Sequence, residues 1–138
     1  MTLVTSALDT AMARVGDRWT LQVVEALLEG ARRFSELQES IPGVAPNVLS
    51  SRLRRLERDG LVVASPYSER PPRLEYRVTE AGRELAGAVL LLTRWGARQS
   101  GPESAGPRHR PCGTPLEARW YCPTCAALAE ADEDPTWV

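Results

Sequence analysis

Two groups of residues in this chain have the types and spacing to do chemistry. The first is His109, Cys112, Cys122 and Cys125, which takes up every cysteine and the only histidine of the 138 residues. His109-x-x-Cys112 and Cys122-x-x-Cys125 each carry the spacing at which two side chains of one turn reach a single ion. Nine residues separate the two pairs. Four such ligands complete a tetrahedral Zn2+ shell with no open position, so a structural ion is expected rather than a catalytic one. A reversible disulfide between Cys122 and Cys125, or three unrelated thiols, are competing readings of the same residues. The second group is Pro46, Asn47, Ser50, Ser51, Arg52, Arg54, Arg55 and Arg58. Arginine can pair with guanine edges or clamp a phosphate, asparagine can read adenine, and serine hydroxyls bond phosphates. That is the chemistry of a DNA groove, although a solvated amphipathic helix carries a similar charged face.

The elements that must position the second group decide between these readings. Leu49, Leu53 and Leu56 recur at spacings of four and three, which places one apolar stripe on a helix. Pro46 suits the first helical position, and Asp59-Gly60 is a stop signal. Upstream lie a short apolar segment from Phe34 and a turn at Pro42-Gly43. Downstream, Leu61–Tyr67 and Arg73–Val78 are β-prone runs, the second alternating through Leu74, Tyr76 and Val78. Ser68-Glu69-Arg70-Pro71-Pro72 between them reads as an exposed, proline-stiffened tip. Arg70 and Arg73 at that tip could reach the DNA backbone or minor groove. The expected fold is mainly α with a small β-hairpin (α+β): a winged helix-turn-helix domain plus a short C-terminal zinc-ribbon-like module.

Several segments in fixed order resemble the HxlR-type winged helix-turn-helix regulators of the MarR-like superfamily. They are Gly16-Asp17-Arg18-Trp19-Thr20, Arg33-Phe34-Ser35-Glu36-Leu37, Leu49-Ser50-Ser51-Arg52-Leu53-Arg54-Arg55-Leu56, Asp59-Gly60-Leu61-Val62 and Arg70 to Gly82. The likeness covers about positions 6 to 98. It implies a homodimeric repressor or activator that binds operator DNA. Some relatives carry a reactive cysteine just before the tryptophan segment. The corresponding position here is Ser6, so thiol sensing by that route is not expected.

Composition agrees with a small regulator. The net charge is −1, yet positions 46 to 73 hold six arginines against Glu57, Asp59 and Glu69, a local surplus of three positive charges. A basic face on a near-neutral chain suits selective DNA binding with weak non-specific binding. All seventeen basic residues are arginine, a bias that extends over the whole chain and carries little weight. No Gly-rich phosphate loop or nucleophile elbow is present, and the only histidine sits in the metal motif, so catalysis is not expected. No apolar run approaches the roughly 20 residues needed to span a membrane. The first residues, Met1 to Thr5, lack a secretory pattern, which points to the cytoplasm.

The chain is expected to divide into a DNA-binding and dimerisation domain (1–99), a linker (100–107), a zinc-ribbon-like module (108–128) and an acidic tail (129–138). After Thr79, an N-cap candidate, Leu85, Val89, Leu92 and Trp95 form one helical stripe, broadened by Ala88, Leu90 and Leu91. Leu8 and Met12 stand on the first helix. This surplus of apolar surface is expected to form a two-fold interface, with core packing as the alternative. A dimer would set two recognition helices about 34 Å apart and call for an inverted-repeat operator. Trp19 and Trp95 either pack ordinarily or line a pocket for a small apolar effector. The competing function is a protein-protein adaptor of the transcription machinery, since winged helices and zinc ribbons both serve that role.

Overall fold

The computed structural model describes residues 5–101 and 106–129. Residues 102–105 of the expected linker lie outside them, as do 130–138, which include Glu130, Asp132, Glu133 and Asp134. The chain divides into two units, Met1–Val89 and Leu90–Val138.

In the first unit the ends of two helices show how local chemistry satisfies free backbone groups. Helix α1 (Ala7–Val15) starts with a capping box: the Asp9 amide donates to the Ser6 hydroxyl at 3.0 Å, and the Ser6 amide donates to the Asp9 carboxylate at 3.3 Å. Helix α2 (Thr20–Leu28) follows, then a two-residue strand β1 (Arg32–Arg33) and helix α3 (Phe34–Ser40). Helix α4 (Pro46–Arg58) opens with Pro46 in its first turn. It closes at Gly60, φ +72°, where the Leu61 amide reaches back to the Leu56 carbonyl at 2.9 Å and the Gly60 amide to the Glu57 carbonyl at 3.1 Å. This double closure needs a left-handed residue after the cap, which glycine adopts without a Cβ penalty.

Strands β2 (Val62–Glu69) and β3 (Pro72–Val78) form an antiparallel wing, and β1 pairs with the outer side of β3, giving the order β1-β3-β2. The strands run further than the sequence suggests: Glu69 pairs with Pro72, so the turn shrinks from the expected five-residue tip to Arg70-Pro71, and the register shifts between Pro66 and Ser68. Pro72 is tolerated because it is the first residue of β3, beyond the reach of β1, where its missing donor can face away from β2. Strand β1 escaped the sequence reading because two residues carry no periodicity.

The single helix expected after Thr79 is broken. A short α5 (Glu80–Arg83) precedes α6 (Ala86–Gln99). Between them the Glu84 and Leu85 amides bond three residues back, to Ala81 and Gly82, before the four-residue step resumes from Val89 to Leu85. That tightened turn re-aims the chain.

Val23, Val24, Leu27, Leu37, Ile41, Val44, Leu49, Leu53, Leu56, Val62, Val78 and Val89 form one aliphatic core, edged by Trp19, Phe34 and Tyr76. The core joins the buried stripe of α4 to α2, α3 and the base of the wing. Replacing Leu53 by alanine would cost about 2–5 kcal/mol, because the surroundings collapse only partly into the space left. Val89 is 7% exposed and Leu85 packs against the core, so these two expected interface residues stabilise their own subunit.

In the second unit, β4 (Tyr121–Cys122) pairs with β5 (Ala127–Leu128), and an isolated bridge joins Arg108 to Pro115. Both are short hairpins around the expected metal ligands. No helix among the described residues is long and apolar enough to cross a membrane.

Candidate nucleic-acid interface

Because Leu49, Leu53 and Leu56 are buried, the opposite side of α4 must face outward. Pro46, Asn47, Ser51, Arg54 and Arg58 are exposed, and Ser50 is half-buried. Ser51, Arg54, Glu57 and Arg58 line an open concavity along that side. At the wing, Arg70 and Arg73 are exposed. The Arg33 guanidinium lies over the Tyr67 ring at 4.4 Å, joining β1 to the wing where its register shifts.

Arg52 and Arg55 occupy a different environment from the other candidates. Arg52 Nε donates to Asp17 Oδ1 at 2.9 Å, and the two side chains are 27% and 25% exposed. Arg55 Nη2 donates to the Ala13 carbonyl, and its Nη1 lies 3.9 Å from Asp17 Oδ2. Both guanidinium groups therefore reach toward the α1–α2 connection, and Arg52 Nη1 also donates to the exposed Ser51 hydroxyl at 3.4 Å.

Asp17 is the hub of this arrangement. Its Oδ1 accepts the Trp19 amide at 3.0 Å and the Thr20 amide at 3.1 Å, and its Oδ2 accepts the Thr20 hydroxyl. Burial alone would raise its pKa. Hydrogen bonds from the Thr20 hydroxyl, the Trp19 amide, Arg52 and the Thr20 amide outweigh that and hold it at about 2. The sequence reading quoted Asp17 only within a resembling segment. The signal that could have marked it is Asp-x-x-Thr at the head of a helical run, the pattern of a side-chain cap.

In the tail, the four expected ligands come together as two pairs. His109 Nδ1 lies 3.2 Å from Cys112 Sγ, and the Gly113 amide donates to the His109 carbonyl at 2.7 Å. In the second pair the Cys125 amide points to Cys122 Sγ at 3.5 Å. The residue after each second ligand is left-handed: Gly113 at φ +72° and Ala126 at φ +53°. Hydrogen bonds from the Thr114 hydroxyl and amide, with a further one from His109, lower the Cys112 pKa to about 7. Cys122 is lowered by the Cys125 amide first, then by the Cys125 side chain and the Thr124 amide. Amides aimed at sulfur suit thiolate ligands. Among the described residues, however, no group of three or more histidine, cysteine or carboxylate side chains is gathered closely enough to hold a metal ion. The donor chemistry of each pair fits Zn2+.

Of the expected interface residues, Leu8 (67% exposed), Met12, Leu92 and Trp95 (57%) are exposed, together with Leu90 and Leu91. Trp19 packs against the core, with its ring edge 3.8 Å from the Cβ direction of Gly43, which is ordinary packing.

Two core-packed helices, the second polar on its outer side, followed by a two-stranded hairpin, define a winged helix-turn-helix protein. The chain belongs to the HxlR-like helix-turn-helix family, whose pattern matches residues 14–104. It is 42% identical over 119 residues to an uncharacterized HTH-type transcriptional regulator of Mycobacterium tuberculosis, covering 83% of this chain and 74% of that relative. The crystal structure of ytcD, an HTH-type transcriptional regulator of Bacillus subtilis, is 33% identical with a TM-score of 0.65, covering 69% of this chain and 97% of that one. The crystal structure of PA1607 is 28% identical with a TM-score of 0.78, covering 98% of this chain and 96% of that one. These relatives place the chain among transcriptional regulators.

Proposed function

We propose that this protein is a cytoplasmic, sequence-specific DNA-binding repressor that binds an inverted-repeat operator as a homodimer. The observation that carries this reading is the two-sidedness of α4. Leu49, Leu53 and Leu56 lock one side into the core, and Asn47, Ser51, Arg54 and Arg58 stand exposed on the other. In this reading α4 enters the major groove, with Asn47, Ser50, Ser51 and Arg54 toward base edges and phosphates. Arg70 and Arg73 on the wing reach the backbone or minor groove. A second copy covers Leu8, Met12, Leu92 and Trp95. The tail, through His109, Cys112, Cys122 and Cys125, forms a zinc-ribbon-like module whose structural Zn2+ would draw the two ligand pairs together and substitute for a core.

The test is selection of genomic fragments by the purified chain, alone and with Arg54→Ala. The expected result is an enriched inverted repeat with half-sites about one helical turn apart, lost in the variant. Absence of any enriched sequence would favour the adaptor reading, for which the exposed Trp120 and Tyr121 of the tail offer contact surface.

A further inference from the structure

The four arginines of α4 fall into two pairs with opposite surroundings. Arg54 and Arg58, four residues apart, are exposed on the outer side. Arg52 and Arg55, three residues apart, are half-buried and turned toward Asp17 and the Ala13 carbonyl. Net charge over the helix counts all four alike, but only the first pair is presented to a groove. Asp17 itself is held in place by two amides and a hydroxyl of the α2 start, so it is a rigid acceptor and not a mobile surface carboxylate.

We propose that Asp17 is a specificity-determining residue for DNA binding: it withholds Arg52 and Arg55 from phosphate and fixes the setting of the recognition helix against the α1–α2 turn. The inference rests on the DNA-binding reading above. Non-specific affinity comes almost entirely from phosphate neutralisation, so each guanidinium kept off the backbone lowers binding to random sequence. Contacts to base edges from Asn47 and Arg54 are untouched by that withdrawal. The ratio of operator to random binding therefore rises, and a single carboxylate sets it. The same carboxylate ties α4 to the turn that follows α1, so the helix enters the groove with its outer side fixed in rotation.

The experiment measures binding of the full chain to a 30-base-pair duplex of random sequence, by fluorescence anisotropy over a range of salt, with a test length of about 30 base pairs chosen to span a dimer footprint of several turns. The chains compared are the wild type, Asp17→Asn, Arg54→Gln, the double variant Arg52→Gln/Arg55→Gln, and the triple variant that adds Asp17→Asn to it. The log–log salt slope of Asp17→Asn is expected to steepen by up to about 2 per chain, about 4 for the bound dimer, so that affinity lost between about 50 and about 200 mM salt grows roughly a hundredfold. The triple variant returns to the wild-type slope. Arg52→Gln/Arg55→Gln leaves the slope unchanged, whereas Arg54→Gln reduces it by about 1. A wild-type slope in folded Asp17→Asn overturns the proposal, as does a loss in the double variant equal to or larger than that in Arg54→Gln. Should Asp17→Asn fail to fold, the comparison of the double variant with Arg54→Gln still decides. A wild-type chain that binds no duplex at all defeats the DNA-binding reading itself, a distinct outcome.

Discussion

Gly82 lies beneath the carbonyl oxygen of Leu61, so close that a Cβ on Gly82 would come within 2.2 Å of that oxygen. The contact holds the start of α5 against the chain leaving α4. Thr79 reinforces it: its hydroxyl donates to the Gly60 carbonyl at 2.6 Å and accepts the Gly82 amide at 3.1 Å. The wing is thereby clamped at its base, between the end of α4 and the start of α5.

Gly82→Ala must push backbone against backbone. It is expected to destabilise the chain by about 1–3 kcal/mol, the usual range for overpacking a tight site, read from urea or thermal unfolding. Thr79→Ala should cost about 1 kcal/mol through loss of the cap. An unchanged midpoint for both variants would show that the clamp does not bear on stability.

Asp17 makes stability depend on acid. Its folded-state pKa is about 2, depressed from an unfolded value of 3.8. A depressed carboxyl contributes stability that is fully present above the unfolded value and is lost as pH falls from there through the folded value. Asp17→Asn should therefore lower stability by about 2 kcal/mol at neutral pH. It should also flatten the wild-type decline between about pH 4 and pH 2. Parallel pH profiles for the two proteins would mean that the carboxylate contributes nothing.

The exposed apolar side of α6 should control self-association. Trp95→Glu or Leu92→Glu is expected to convert a dimer to monomers in sedimentation, because a charge on buried apolar surface leaves an unpaired ion in the interface. Val89→Ala should instead lower the stability of the subunit by about 2 kcal/mol with little change in self-association, since Val89 sits in the core. Dimers unaffected by Trp95→Glu would place the interface elsewhere.

The tail predicts metal binding with a spectroscopic signature. Co2+ added to chelator-stripped protein should give the visible bands of a tetrahedral thiolate site at one ion per chain, displaced by Zn2+ and lost in Cys122→Ser. Ala126→Gly should tighten binding a few-fold, because Ala126 is the one non-glycine residue with positive φ among those described, and a left-handed alanine costs about 1–2 kcal/mol. Octahedral spectra, or none, would show that the two pairs act separately.

Local rules made much of the fold legible. The leucine spacing of α4, Pro46 at its start, Asp59-Gly60 at its end, Thr79 as a cap, and the alternation of β3 all depend on interactions within a few residues, which the order of side chains alone specifies. What lay beyond reach involved residues far apart in the chain. Arg52 and Arg54 are chemically identical, and only the arrival of Asp17 from 35 positions upstream gives them different surroundings. Strand β1 exists because β3 lies beside it, and Val89 turns inward because the helix after Thr79 breaks at Glu84. Likewise, the spacing of each ligand pair in the tail was visible in the sequence, whereas the left-handed turn at Ala126 after the second pair is seen only in the folded chain. Composition could count the charges and the apolar side chains, and tertiary packing decided which of them remain available to a partner.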